Sequence, residues 1–138
     1  MFSLFIDTTQ STCYLAILRD DKIIGKFQTP THNNLTDIAV EHIDALLKKH
    51  KVNRNDIKKI YVINGPGSFT GVRVSTLIAK TFAIVNNAIL YSLDALTFQL
   101  PLPSGISLLD ARGGHQYVMV KKDRKILVKP QMLKAIDI

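Results

Sequence analysis

The densest group of residues suited to chemistry is Gly65-Pro66-Gly67-Ser68-Phe69-Thr70-Gly71, set between an apolar run and a helix-forming stretch. Glycines at a strand-to-helix junction could let backbone N–H groups and the positive end of a helix dipole face an anion. The spacing fits neither common phosphate loop. Val72 stands where a Walker A loop needs Lys, and Thr70 stands where G-x-G-x-x-G needs Gly. A tight turn capped by Ser68 or Thr70, with glycines supplying positive φ, accounts for the same residues. Arg73 points toward an acidic neighbour or an anion, because a cation in the first helical turn opposes the dipole by about 0.3–1 kcal/mol.

Asp7-Thr8-Thr9 ends the first apolar run, and a carboxylate beside two hydroxyls suits either metal-phosphate coordination or a hydrogen-bonded turn. The candidate nucleotide or anion site is therefore Asp7, Thr8, Thr9, Gly65, Gly67, Ser68, Thr70 and Gly71. Asp94 and Asp110 also stand at element ends, but Asp94 is placed to cap a helix, which leaves a two-metal carboxylate site short of ligands. His32, His42, His50 and His115 show no metal-ligand spacing, and no CxxC pair exists. Cys13 has no assignable base. The sequence thus nominates neither a catalytic residue nor a metal site.

These residues need elements to hold them. Phe2 to Ile6 is almost continuously apolar, as expected of a central strand buried on both faces. Thr12–Leu18 and Ile23–Gln28 follow as a meander around the turn Asp20-Asp21-Lys22. Leu35 to Lys49 carries apolar residues at helical spacing, with Asn34 as cap and His42 on the apolar face. Ile60–Ile63 reads as a buried strand, and about Val72 to Asn86 as a second helix. Ala88–Ser92 is a strand, Asp94–Leu100 a short capped helix, and Ile106–Leu109 with Gln116–Lys122 a final hairpin. Pro130 precedes a short terminal helix. The whole is one mixed α/β domain, residues 1–138, with helices covering a sheet.

The second helix is apolar nearly all round, which implies burial or a second packing partner. Val74, Leu77, Ile78, Phe82 and Val85 form a stripe suited to the sheet. Ser75, Ala79 and Ala83, at i, i+4 spacing, would then let another helix approach. With Arg73 and His42, these small residues form the expected partner interface.

The chain has 138 residues, 46% hydrophobic and 21% charged, an ordinary globular composition that excludes disorder. One cysteine excludes a disulfide framework. No apolar run reaches the ~18 residues of a membrane span, and Met1-Phe2-Ser3 lacks a basic n-region, so a cytoplasmic protein with no membrane contact is expected. The net charge is +7 and unevenly spread. Residues 47–59 carry six cations against Asp56, and residues 121–138 carry six against Asp123 and Asp137. Such clusters could neutralise phosphates, but solvated element ends explain them as simply, and no aromatics are interleaved for base stacking.

Taken together, the segments resemble one family. Phe5-Ile6-Asp7-Thr8-Thr9 looks like its strand-end motif. Gly65-Pro66-Gly67-Ser68-Phe69-Thr70-Gly71-Val72-Arg73 matches its most specific block, and Asp110-Ala111-Arg112 with Tyr117 resembles its hairpin. His32 lies before the first helix, where members commonly carry a histidine. This is the TsaB (YeaZ) family of partner subunits in tRNA threonylcarbamoyladenosine synthesis. The resemblance implies an actin-like ATPase (ribonuclease H-like) fold, here with the second subdomain largely missing. It implies a non-catalytic subunit pairing with a catalytic paralogue (TsaD) and joined by an ATPase (TsaE). It also implies indirect contact with ANN-decoding tRNAs, and ATP or ADP in the complex without a cofactor requirement of this chain. A related-domain pair further suggests homodimers when the partner is absent. Two rivals remain: an independent actin-like ATPase or kinase using Asp7 and the glycine turn, and a basic tRNA-binding module.

Overall fold

A computed structural model describes residues 1–31 and 34–138. Strands β1 (Phe2–Asp7), β2 (Thr12–Arg19) and β3 (Lys22–Pro30) form the expected antiparallel meander. Helix α1 spans Leu35–Lys49, β4 Ile57–Ile63, α2 Phe69–Asn86 and β5 Ile89–Leu93. β4 lies parallel to β1, and β5 parallel to β4, giving one five-stranded sheet of order β3-β2-β1-β4-β5. The parallel pairs require crossovers, which the two long helices provide.

Both helices cover one sheet face. Leu4 and Ile6 of β1, Cys13, Leu15 and Ile17 of β2, and Ile60 and Val62 of β4 meet Ala39, Ile43 and Leu46 of α1 and Val74, Ile78 and Ala79 of α2. Each large side chain fully buried there contributes about 1.5–3 kcal/mol. β1 is central as expected, but only this face is sealed. Phe5, on the other, is half-buried beneath Phe98 at a ring-centroid distance of 5.3 Å. Phe98 belongs to α3 (Ala95–Gln99), whose N-cap Asp94 accepts a bond from Thr97 N.

A second sheet follows: β6 (Gly105–Arg112), β7 (His115–Lys122) and β8 (Lys125–Lys134), an antiparallel meander of three strands. The sequence reading stopped at two. Pro130 sits inside β8 rather than before a helix, and only a 3-10 turn, Ala135–Asp137, follows. β8 is an outer strand with register shifts against β7, the setting in which a residue without N–H is tolerated. Leu96 and Leu100 join Met119 in a small cluster that seats α3 on this sheet.

Two helix expectations need correction. Asn34 stands at the N-cap of α1 in the left-handed region, φ 72, and makes no side-chain cap bond. α2 begins at Phe69, three residues before the expected start, because Ser68 rather than a later residue caps it by accepting from Gly71 N.

Candidate functional site

The two sequence motifs that pointed to an anion site pack on one another. Asp7 Oδ1 accepts from Thr9 N at 2.9 Å and from Thr9 Oγ1 at 2.7 Å, closing the turn after β1. Thr8 Oγ1 donates to Gly71 O, Ser68 N donates to Thr9 O at 2.7 Å, and Gln10 Nε2 donates to Pro66 O at 3.0 Å. The glycines permit this approach. A Cβ on Gly71 would lie 1.9 Å from Thr8 O, and one on Gly67 2.2 Å from Thr9 O. Gly65 adopts φ +112 and its carbonyl accepts from Ala95 N, tying the turn to α3.

Of the eight candidate anion residues, Thr8, Thr9, Gly65 and Gly71 are buried in this seam, and Ser68 is spent as the cap of α2. Thr70 is exposed but makes no capping bond. Of the eight, Asp7 is the one that lines the main cleft. That cleft, of about 1170 Å³, lies on the second face of the five-stranded sheet, walled by Phe5, Tyr14, Tyr61, Phe98 and Leu109. Sequence reasoning missed it; the signal available was an aromatic at each of the cross-strand neighbours Phe5, Tyr61 and Tyr91.

The other carboxylates serve local turns. Asp94 caps α3, and Asp110 Oδ1 accepts from Arg112 N at 2.9 Å. Among the described residues no three His, Cys, Asp or Glu side chains converge as metal ligands. Cys13 is buried in β2, and burial, followed by the negative charge of Asp7, pushes its thiol up to about 11. His32 lies outside the described residues.

The expected partner interface is rearranged. Ser75 and Ala79, placed by the sequence reading on the outward side of α2, are both 0% exposed. Ser75 Oγ donates to Ile63 O at 3.2 Å, and Ala79 packs into the main core. The small residues bring α2 close to its own sheet instead of to another helix. Ala83 is half-buried against the same core. His42 is occupied too, stacked on Phe27 at 3.7 Å between centroids. Turning the small stripe inward turns part of the expected sheet-facing stripe outward. Phe69 is 76%, Leu77 65%, Ile84 81% and Val85 69% exposed. Arg73 stands among them, its guanidinium 5.2 Å from the Phe69 ring centroid, so within the chain it meets an aromatic face rather than the expected acid.

A family model described as TsaD, tRNA N6-adenosine threonylcarbamoyltransferase, matches residues 29–136. An uncharacterized protein of Mycoplasma pneumoniae, the MG208 homolog, is 36% identical over 140 residues, covering 96% of this chain and 71% of that protein. The tRNA threonylcarbamoyladenosine biosynthesis protein TsaB of Bacillus subtilis is 35% identical over 115 residues, covering 83% of this chain and 46% of that protein. YeaZ from Pseudomonas aeruginosa superposes with a TM-score of 0.82 at 17% identity, over 96% of this chain and 67% of that one. The chain thus spans less than half of the curated TsaB. The fold is that of the actin-like ATPases, a mixed sheet flanked by helices. No helix among the described residues is long and apolar enough to cross a membrane.

Proposed function

The chain belongs to the TsaB (YeaZ) family, and on that premise we propose that it is a non-catalytic partner subunit in tRNA threonylcarbamoyladenosine synthesis. On this reading it supports a TsaD-type catalytic paralogue, with a TsaE-type ATPase joining the assembly. The observation that carries it is the outward stripe of α2. Phe69, Leu77, Ile84 and Val85 recur at helical spacing on one exposed side. Four large apolar side chains exposed around Arg73 on a helix already seated on its sheet mark a protein–protein contact. A paralogue of the same fold would offer a matching stripe, giving a helical seam of pseudo-twofold symmetry; a second copy would offer the same one. ATP or ADP belongs on this reading to the complex, since Ser68 N and Gly71 N of the glycine turn are spent on contacts within the chain.

Leu77→Glu tests the proposal. The substitution puts a charge in the middle of the stripe, where water solvates it in the free chain and an apolar partner would not. Association should weaken by several kcal/mol with the melting temperature nearly unchanged. Sedimentation of the variant alone and with the catalytic paralogue is the measurement; undiminished pairing would place the interface elsewhere. ATP turnover by the unassisted chain would instead favour an independent ATPase.

A further inference from the structure

We propose that the β7–β8 hairpin is an RNA-docking arm that grips phosphates and reads no sequence; its tRNA assignment rests on the reading above. Of the chain's two basic clusters, the first has three of its six cations answered within the fold. Lys48 and Arg54 both pair with Asp44, and Lys58 Nζ donates to Asn86 O. Within the second cluster, Lys121 Nζ donates to Leu100 O, and the ion pairs among the described residues all lie elsewhere. Lys122, Arg124, Lys125, Lys129 and Lys134 are all exposed.

The molecule contains its own control for this hairpin. β2 and β3 are joined by Asp20-Asp21, both at positive φ, and β7 and β8 by Asp123-Arg124, also both at positive φ. In the first hairpin the closing pair Arg19↔Lys22 encloses two acids, of which Asp20 also pairs with the Met1 amine at 2.6 Å. In the second, the closing pair Lys122↔Lys125 encloses one acid and a further cation. Like charges directly across a ladder are destabilising. Arg124, at φ 67, also occupies a turn position that glycine fills at less cost. Both hairpins set like charges across the closing pair, but only the second places a cation, Arg124, at the turn position where the first has Asp21, and the surplus positive charge this leaves points to a use outside the fold.

The arm is also fixed in place. Asp123 N donates to Ser104 Oγ at 2.9 Å, and Arg124 N to Pro103 O at 2.7 Å, so the tip is held against the loop that follows α3. A preorganised tip loses less entropy on docking. Residues 121–138 contain no aromatic side chain on which bases could stack, which limits the contact to the backbone.

The test is tRNA affinity against salt, for the chain alone and for its pair with the catalytic paralogue. Lys122→Gln/Lys125→Gln should make the slope of log K against log salt shallower by about 1 for each lysine, and lower the affinity. Lys22→Gln, in the first hairpin, should leave both unchanged. Because the double variant relieves a like-charge pair, its melting temperature should not fall. An unchanged slope, equal losses in the control, no tRNA binding by the unaltered chain in either setting, or losses confined to anionic phospholipid vesicles would each overturn the proposal. Sedimentation of the unaltered chain with the paralogue judges the subunit reading separately. Pairing retained with an unchanged tRNA slope sinks the arm alone, and pairing lost with a shallower slope sinks only the subunit reading.

Discussion

At the scale of single residues, the glycine block shows how a motif can be legible in place and unread in purpose. Its position between β4 and α2 follows from the apolar run before it and the helix-forming residues after it. The reason for its glycines lies 60 residues away, in carbonyls of Thr8 and Thr9 that no local pattern announces. Gly71→Ala should therefore destabilise the fold by about 1–3 kcal/mol or more, since the obstruction is backbone and has little room to yield. Urea denaturation reads this directly; a variant as stable as the parent would remove the seam's structural role. Cys13 gives a second residue-scale expectation. Its thiol is held above the unfolded value of 9.0, at about 11, so the folded state favours the neutral form. The stability contributed is complete below pH 9 and is lost as pH climbs from about 9 through about 11. Denaturation curves of the parent should fall more steeply over that window than those of Cys13→Ala, and a thiol reagent should modify native Cys13 only on opening.

At the scale of elements, periodicity located α2 and misjudged its rotation. A helix with apolar residues on most sides has no single preferred face by hydrophobicity alone. Packing distance broke the tie: Gly71, Ser75 and Ala79 recur every four residues, and small side chains let the backbone approach the sheet. The larger Leu77 and Val85 were left facing solvent. Two substitutions of the same chemistry should consequently diverge. Ala79→Glu forces a carboxylate into a fully buried site and should cost several kcal/mol, enough to unfold a domain of ordinary stability. Leu77→Glu should remain folded. Circular dichroism at 25 °C separates them, and a folded Ala79→Glu protein would mean that α2 can rotate on its bed. β8 was hidden for a different reason. Pro130 and the cations around it resemble a loop unless the strand is known to be an outer one.

At the scale of the molecule, the two sheets begin alike and are secured unequally. β1 ends on Asp7, and β6 carries Asp110 two residues before its end; each carboxylate accepts the amide two residues on, and each strand opens an antiparallel meander. β1 then gains β4 on its other side, whereas β6 pairs with β7 alone. The first sheet is sealed along one face by two long helices and a large core; the second rests on one short helix through Leu96, Leu100 and Met119. Local stability follows buried apolar contact, so β6–β8 should open at a lower free energy than β1 and β4. Native-state hydrogen exchange resolves the difference amide by amide. Leu96, fully buried at the centre of the small cluster, is the lever: Leu96→Ala should cost about 2–5 kcal/mol of the second sheet's opening free energy. Protection in β1 and β4 should change far less, because their core shares no side chain with that cluster. Uniform loss of protection across both sheets would show instead that α3, stacked on Phe5 through Phe98 and bonded to Gly65 through Ala95 N, binds them into one cooperative unit.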